Sequence, residues 1–186
     1  MNTPLFTGAL VRLAAADPEK DAAPWAGWMR DSEFLRLLDT DPAVPESAAQ
    51  RKKDIEERGE PKNTGFPFVI RALADDRLLG FVGLWIGPSW NHRNGWIGIG
   101  LGERATWGQG YGTDTLNVVL RYAFQELDLH RVSLGVFEYN PRALRAYEKA
   151  GFVLEGRTRQ DTRRAGRYWD SCWMGILHSE WEARQS

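Results

Sequence analysis

The chain has 186 residues, of which 42% are hydrophobic and nine are Trp, enough for one domain, 1–186, with a substantial core. A formal net charge of −1 excludes a general nucleic-acid or membrane-surface binder, because either needs a concentrated positive face. The lone Cys172 excludes an internal disulfide and has no partners at metal-ligand spacing, so no metal is expected and a reducing cytoplasm is the expected location.

The opening Met1-Asn2-Thr3-Pro4-Leu5 has no basic region followed by an apolar stretch, so no export signal is expected. Residues 9–14 read as a first strand, with Leu10, Val11 and Leu13 before the turn signal Asp17-Pro18. Residues 18–58 read as helical and loop material, broken by Pro24, Pro42 and Pro45. Within it Ser47 and Gln50 are spaced as a capping box, which predicts a helix running towards Arg58 and stopped by Gly59. Phe66–Ala72 and Leu78–Ile86 are β-rich runs joined by Ala74-Asp75-Asp76-Arg77, a hairpin. Gly87–Gly95 is polar and turn-like, and Gly95–Leu101 is an apolar strand studded with glycines. A helix over about 113–127 follows, then a strand Arg131–Phe137 and a helix Pro141–Ala150. Two last strands, Phe152–Thr162 and Tyr168–Leu177, flank the turn Arg163-Arg164-Ala165-Gly166. The pattern predicts an α/β (α+β) domain on a mixed sheet.

Two segments carry chemistry. The first is Trp107-Gly108-Gln109-Gly110-Tyr111-Gly112-Thr113, between a strand and a helix whose apolar face holds Leu116, Val119, Leu120 and Ala123. Glycines let backbone N–H groups approach a ligand closely, and the start of the helix favours an anion. The inference is a phosphate or pyrophosphate cradle, against the plainer reading of a tight turn. No Lys enters the helix as in a P-loop, and the glycines run G-x-G-x-G late in the chain, unlike a dinucleotide fingerprint. The second segment runs from Glu138 to Phe152. Asn140 suits an N-cap, Pro141 the first turn and Gly151 the position past the end, while Ala143, Leu144, Tyr147 and Ala150 share a face. Asn140 and Tyr147 lie two turns apart on that face, a reach of about 10 Å.

Together these segments resemble the GNAT superfamily of N-acyltransferases. Its pyrophosphate loop reads (Q/R)-x-x-G-x-(G/A), and its later signature resembles N-x-x-A-x-x-x-Y-E-K-x-G-F as it stands over Asn140–Phe152. Trp107 replaces the usual Gln or Arg, as in the RimJ/RimL-like (ribosomal-protein-alanine acetyltransferase) branch, whose ending is similar to Gly166-Arg167-Tyr168-Trp169-Asp170. The likeness spans roughly Phe66–Leu177 and implies a GNAT fold: a mostly antiparallel sheet of about seven strands with about four helices. It implies acetyl-CoA as co-substrate, with the diphosphate on residues 107–113, pantetheine beside Ile99, Leu101 and Asn140, and Tyr147 as the acid for the departing thiolate. Ala143 stands where some members carry a Ser acid. The implied reaction is direct attack by a primary amine, on a protein N-terminus or on a small molecule, and many members are homodimers.

Many relatives place a basic Glu where Trp96 stands. Glu103, His92 and Asp170 are the alternative proton acceptors, and the sequence selects none. Trp25, Trp28, Trp85 and Trp90 fit either an acceptor slot or ordinary core packing, and the arginines of 157–167 fit either a steering rim or a solvated turn. The competing functions are a non-catalytic acyl-CoA sensor and a protein-interaction module with an empty cradle.

Overall fold

The alternating apolar runs of the sequence fold into one sheet in the computed structural model, which describes residues 4–58, 65–87 and 93–185. In chain order the elements are β1 (Val11–Ala14), α1 (Pro18–Trp28), α2 (Ser32–Leu38), α3 (Ala48–Arg58), β2 (Gly65–Ala72), β3 (Leu78–Ile86) and β4 (Asn94–Leu101). After a single 3-10 turn, Arg104–Thr106, come α4 (Tyr111–Arg121), β5 (Arg131–Phe137), α5 (Pro141–Ala150), β6 (Val153–Arg164), β7 (Arg167–Leu177) and α6 (His178–Ala183). The strand order is β1-β2-β3-β4-β5-β7-β6. Every neighbouring pair is antiparallel except β4 with β5. The expected fold class holds, with six helices among the described residues in place of about four.

The differences at element ends have local causes. The first strand starts at Val11, because the Asp114 carboxylate accepts the N–H groups of Ala9, Leu10 and Val11 at 3.0, 2.7 and 3.0 Å before the ladder begins. Pro24 does not break its helix. It sits inside α1 on the exposed side, as does Lys20, whose carbonyl it leaves without a helical donor. The helix expected to 127 ends its α-helical part at Arg121 and closes with a π-helical turn over Tyr122–Glu126. The Ser47–Gln50 capping box is present: Ser47 N–H donates to Gln50 Oε1 at 2.9 Å and Gln50 N–H to Ser47 Oγ at 3.1 Å.

Strand periodicity sends Val82, Leu84, Ile97, Val132, Leu134 and Met174 to one face, where α4 and α5 bury them beneath Leu116, Val119, Tyr147 and Ala150. The opposite face is covered at one end only, by α1 and α2. There Trp25 stacks on Phe81 with ring centres 4.6 Å apart, and Phe34 meets the same ring edge-on at 6.4 Å. Asp21, 1% exposed, anchors α1: it accepts from Arg71 at 2.6 and 2.8 Å and from the Asp17 N–H at 2.8 Å. Removing one partner of such a buried pair strands the other charge, so Asp21→Ala should lower the unfolding free energy by about 3–5 kcal/mol in urea titration. An unchanged midpoint would show that the pair does not hold α1.

Candidate active site

The site exists because the parallel pair is short. β4 and β5 pair only over Asn94–Trp96 and Arg131–Ser133, and from there the strands part. The Gly102 N–H donates to Leu79 and the Asn94 carbonyl accepts from Gly87, both on the β3 side. By the alternation of an antiparallel ladder, Ile97, Ile99 and Leu101 therefore turn their peptide groups into the opening beside β5. A cavity of about 400 Å³ occupies it. Its walls are β4 (Ile97–Leu101), β5 (Gly135–Phe137), α2 (Phe34, Leu37, Leu38), the glycine loop and one face of α5.

At the wide end the loop leads into α4. Gly108 and Gly110 have φ of +78° and +92°, conformations costly for any residue with a Cβ, and Gly110 is the N-cap. Intrahelical bonding starts with the Asp114 N–H to the Gly110 carbonyl at 2.9 Å. The N–H groups of Tyr111, Gly112 and Thr113 thus lie ahead of the first helical bond, at the positive end of the helix dipole. Asp114, in the same first turn, is held by the amides of Ala9, Leu10 and Val11, so its charge is directed away from the mouth. The cavity is lined by Trp107, Gly108, Gly110, Gly112 and Thr113. Gln109 and Tyr111 do not line it. The Gln109 amide turns back to the Ala105 carbonyl, and the Tyr111 ring packs against the core.

Trp107 closes the loop onto the strand, its Nε1 donating to the Leu101 carbonyl at 2.7 Å. That bond occupies the Leu101 carbonyl and leaves Ile99 as the strand residue whose peptide faces the middle of the opening. The Arg142 guanidinium lies 3.8 Å above the Trp107 ring, and Arg142, Arg145 and Lys149 line the outer wall along α5. These three cations were not singled out from the sequence, although their spacing of three and four residues places them on one helical edge.

The α5 wall holds the two residues of the second motif. Asn140 is the N-cap, its Oδ1 accepting from the Ala143 N–H at 3.2 Å, and it lines the cavity as well. Tyr147 is buried at 8% exposure, and its hydroxyl has no protein hydrogen-bond partner among the described residues. Desolvation alone pushes its pKa up to about 12. The phenol is therefore a neutral donor throughout the physiological range. Glu103 and Asp170 do not line the cavity, while His92 and Trp90 lie outside the described residues. Cys172 is fully buried, with its thiol pKa raised by burial, which disfavours the thiolate, and it does not line the cavity. No group of residues able to hold a metal ion occurs among the described residues.

Residues 11–153 match the acetyltransferase (GNAT) domain. The chain belongs to the GNAT acetyltransferase family. This GNAT enzyme is 33% identical over 148 residues to the probable N-acetyltransferase YjcK of Bacillus subtilis, covering 80% of this chain and 81% of that protein. It is 29% identical over 178 residues, 95% of each chain, to the SPbeta prophage-derived uncharacterized N-acetyltransferase YokL of the same organism. The crystal structure of spermidine N-acetyltransferase from Vibrio cholerae in complex with CoA and spermine matches with a TM-score of 0.75 and 27% identity, over 92% of this chain and 98% of that one. No helix among the described residues is long and apolar enough to cross a membrane.

The N-acetyltransferase ties α2 to the turn after β4 through Arg104, which pairs with both Asp31 and Glu33. Asp31 caps α2, accepting from the N–H groups of Glu33 and Phe34 at 3.0 and 3.2 Å, and also binds the Arg104 guanidinium. The hydrogen bond from Arg104 brings its pKa down to about 2, with the cap amides adding to the effect. A depressed carboxylate stabilises the fold above its unfolded pKa of 3.8, and the contribution is lost as pH falls through about 2. Asp31→Asn should remove that segment of the acid-unfolding curve, read by circular dichroism between pH 4 and 2. A curve unchanged in that interval would show that the tie is not formed.

Proposed function

We propose that acetyl-CoA lies along the β4–β5 opening and that the enzyme transfers its acetyl group to a primary amine by direct attack. The observation that supports this is the alignment of three features along one cavity: unpaired amides at the α4 entrance, the peptide of Ile99 in the middle and the Tyr147 hydroxyl on the wall. The diphosphate sits on Gly108–Thr113, where helix N–H groups and dipole suit a dianion. The pantetheine arm continues the sheet beside Ile99 and Leu101 and passes Asn140. A strand N–H at Ile99 polarises the thioester carbonyl.

The amine nitrogen attacks the carbonyl carbon, the C–S bond breaks, and the proton lost by nitrogen is balanced by one gained by sulfur. Tyr147 mediates at the sulfur. A phenol at about 12 does not release its proton outright to a thiolate whose own acid has a pKa of about 8.5. It donates a hydrogen bond as charge builds on sulfur, and transfer completes only as the nitrogen proton becomes available. Water carries that proton from the nitrogen. The acceptor is a primary amine of a protein N-terminus or of a small molecule. Trp107 and the Gly166–Asp170 ending support the first, as in the RimJ/RimL-like branch. The likeness to a spermidine N-acetyltransferase supports the second.

Tyr147→Phe should lower kcat by about 100-fold or more, the range of a lost general acid, with acetyl-CoA affinity unchanged by calorimetry. Turnover within about threefold of wild type, against that expected range, would remove Tyr147 from the chemistry. In the wild-type enzyme the rate should rise with pH as the amine loses its proton, with no alkaline fall from Tyr147 until pH nears its value of about 12. Cys172→Ala should keep turnover, since direct attack uses no acyl-enzyme; a dead variant that still folds would argue for a covalent route.

A further inference from the structure

The sheet face opposite α4 and α5 is covered by α1 and α2 at the Phe81–Gly100 end and carries tryptophans at the other. Direct pairing places Trp85 beside Trp96 across β3–β4, Trp96 beside Ser133 across β4–β5, and Trp173 beside Gly135 across β5–β7. Directly paired residues point to the same side, so all three indoles share this face. Two of them lie down on the sheet over missing side chains. A methyl on Gly83 would stand 2.6 Å from the Trp85 ring and one on Gly98 3.1 Å from it, while a methyl on Gly135 would stand 2.8 Å from Trp173. Trp96 leans against Trp173 with ring centres 5.7 Å apart at 55°. Trp173 satisfies its polar edge by donating from Nε1 to Thr158 Oγ1 at 2.7 Å, leaving an apolar ring surface outward. The three remain 50%, 41% and 39% exposed (Trp85, Trp96 and Trp173), unusual for such large apolar groups packed together.

This patch is continuous with the cavity. Gly98 and Gly135, which lie under Trp85 and Trp173, also line the cavity at the narrow end, where β4 and β5 begin to part. With the diphosphate at the wide end, the thioester lies at this narrow end, and the tryptophan face borders it through Gly98 and Gly135. We infer that Trp85, Trp96 and Trp173 form the floor on which the acceptor lies, and that the acceptor is a monoamine bearing a flat apolar group, not a polyamine. The inference rests on the acetyltransferase reading above, which sets the direction of the cofactor. The charge of the neighbouring β6–β7 hairpin carries the second half of it. β6 and β7 hold five arginines, of which Arg157, paired with Cys172, faces the other side of the sheet and Arg164 donates to the Asp39 carbonyl, leaving Arg159, Arg163 and Arg167, against the carboxylates Glu155, Asp161 and Asp170. Glu155 is paired with Arg131, while Asp161 and Asp170 accept from the Ser171 hydroxyl at 2.7 Å and the Gln160 N–H at 3.0 Å, neutral donors that leave their charge in place. The hairpin as a whole still carries more arginines than carboxylates, which disfavours a second ammonium on the same molecule. Attraction of an ammonium to an exposed indole is weak, and a monoamine has it equally.

The test is calorimetric titration of the intact protein, with and without CoA, using phenethylamine and spermidine as probes. Phenethylamine should bind about tenfold more tightly than spermidine, and Trp173→Ala should lose about tenfold of that affinity while Trp173→Phe loses little, as expected for a stacked ring. Trp85→Ala gives an independent reading on a strand that does not use the Thr158 bond, and should also weaken phenethylamine. Tighter binding of spermidine, or phenethylamine affinity unchanged in both alanine variants, overturns the inference. A protein that binds phenethylamine on the tryptophans but does not bind CoA overturns the acetyltransferase reading and leaves the floor standing.

Discussion

Two neighbouring strands that stop pairing in the middle of a sheet leave peptide donors and acceptors facing an apolar gap. An unmet buried peptide group costs about 1–3 kcal/mol, so such a gap needs an occupant able to hydrogen-bond like a strand. In this protein the parting of β4 from β5 after Trp96 and Ser133 is the feature from which the rest of the site follows. It makes room between the sheet and α5, leads to the α4 N-terminus, and places the Tyr147 hydroxyl beside whatever lies in the opening. An extended molecule with amide groups along its length and a dianion at one end satisfies all three conditions. The pantetheine diphosphate of a CoA thioester has that composition.

The surrounding structure holds this opening in shape. Asp114 ties the first turn of α4 to the start of β1, and a methyl on Gly8 would stand 2.4 Å from its carboxylate. Arg121 fixes the other end of the same helix by donating to the carbonyls of Pro4, Leu5 and Thr7. On the far wall Asp31 and Arg104 join α2 to the turn after β4. At the acceptor side Arg164 donates to the Asp39 carbonyl at 2.6 Å, and Tyr139 donates to the Arg36 carbonyl at 2.8 Å. The residue after α2 is thereby fastened to the β6–β7 hairpin, and the last turn of α2 to the β5–α5 turn. The cradle is thus held from both ends of its helix and from the opposite lip.

Much of this was legible in the sequence because the signals are local. Ser47 with Gln50, Asn140 with Pro141 and Gly151, and the Ala165-Gly166 turn each state their own backbone geometry. The two motif segments bring the same logic to the cofactor side, and their order along the chain matches the family. What stayed hidden depends on residues far apart in sequence that meet across strands. Trp85, Trp96 and Trp173 are separated by up to 88 positions, yet register alone puts them on one face. Gln109 and Tyr111 fit the loop motif by position, but their side chains turn away from the cavity, which no spacing reveals. Phe34, Leu37 and Leu38 line the cavity only because α2 lies over the opening, a placement that no local pattern encodes.

The most direct measurement of the central claim is a ¹H–¹⁵N spectrum of the assigned protein titrated with a non-hydrolysable acetyl-CoA analogue. The account predicts the largest amide shifts at Gly108–Thr113 and at Ile99, with Tyr147 and its neighbours on α5 following. Shifts confined to other surfaces, or a spectrum that does not change at saturating analogue, would contradict it.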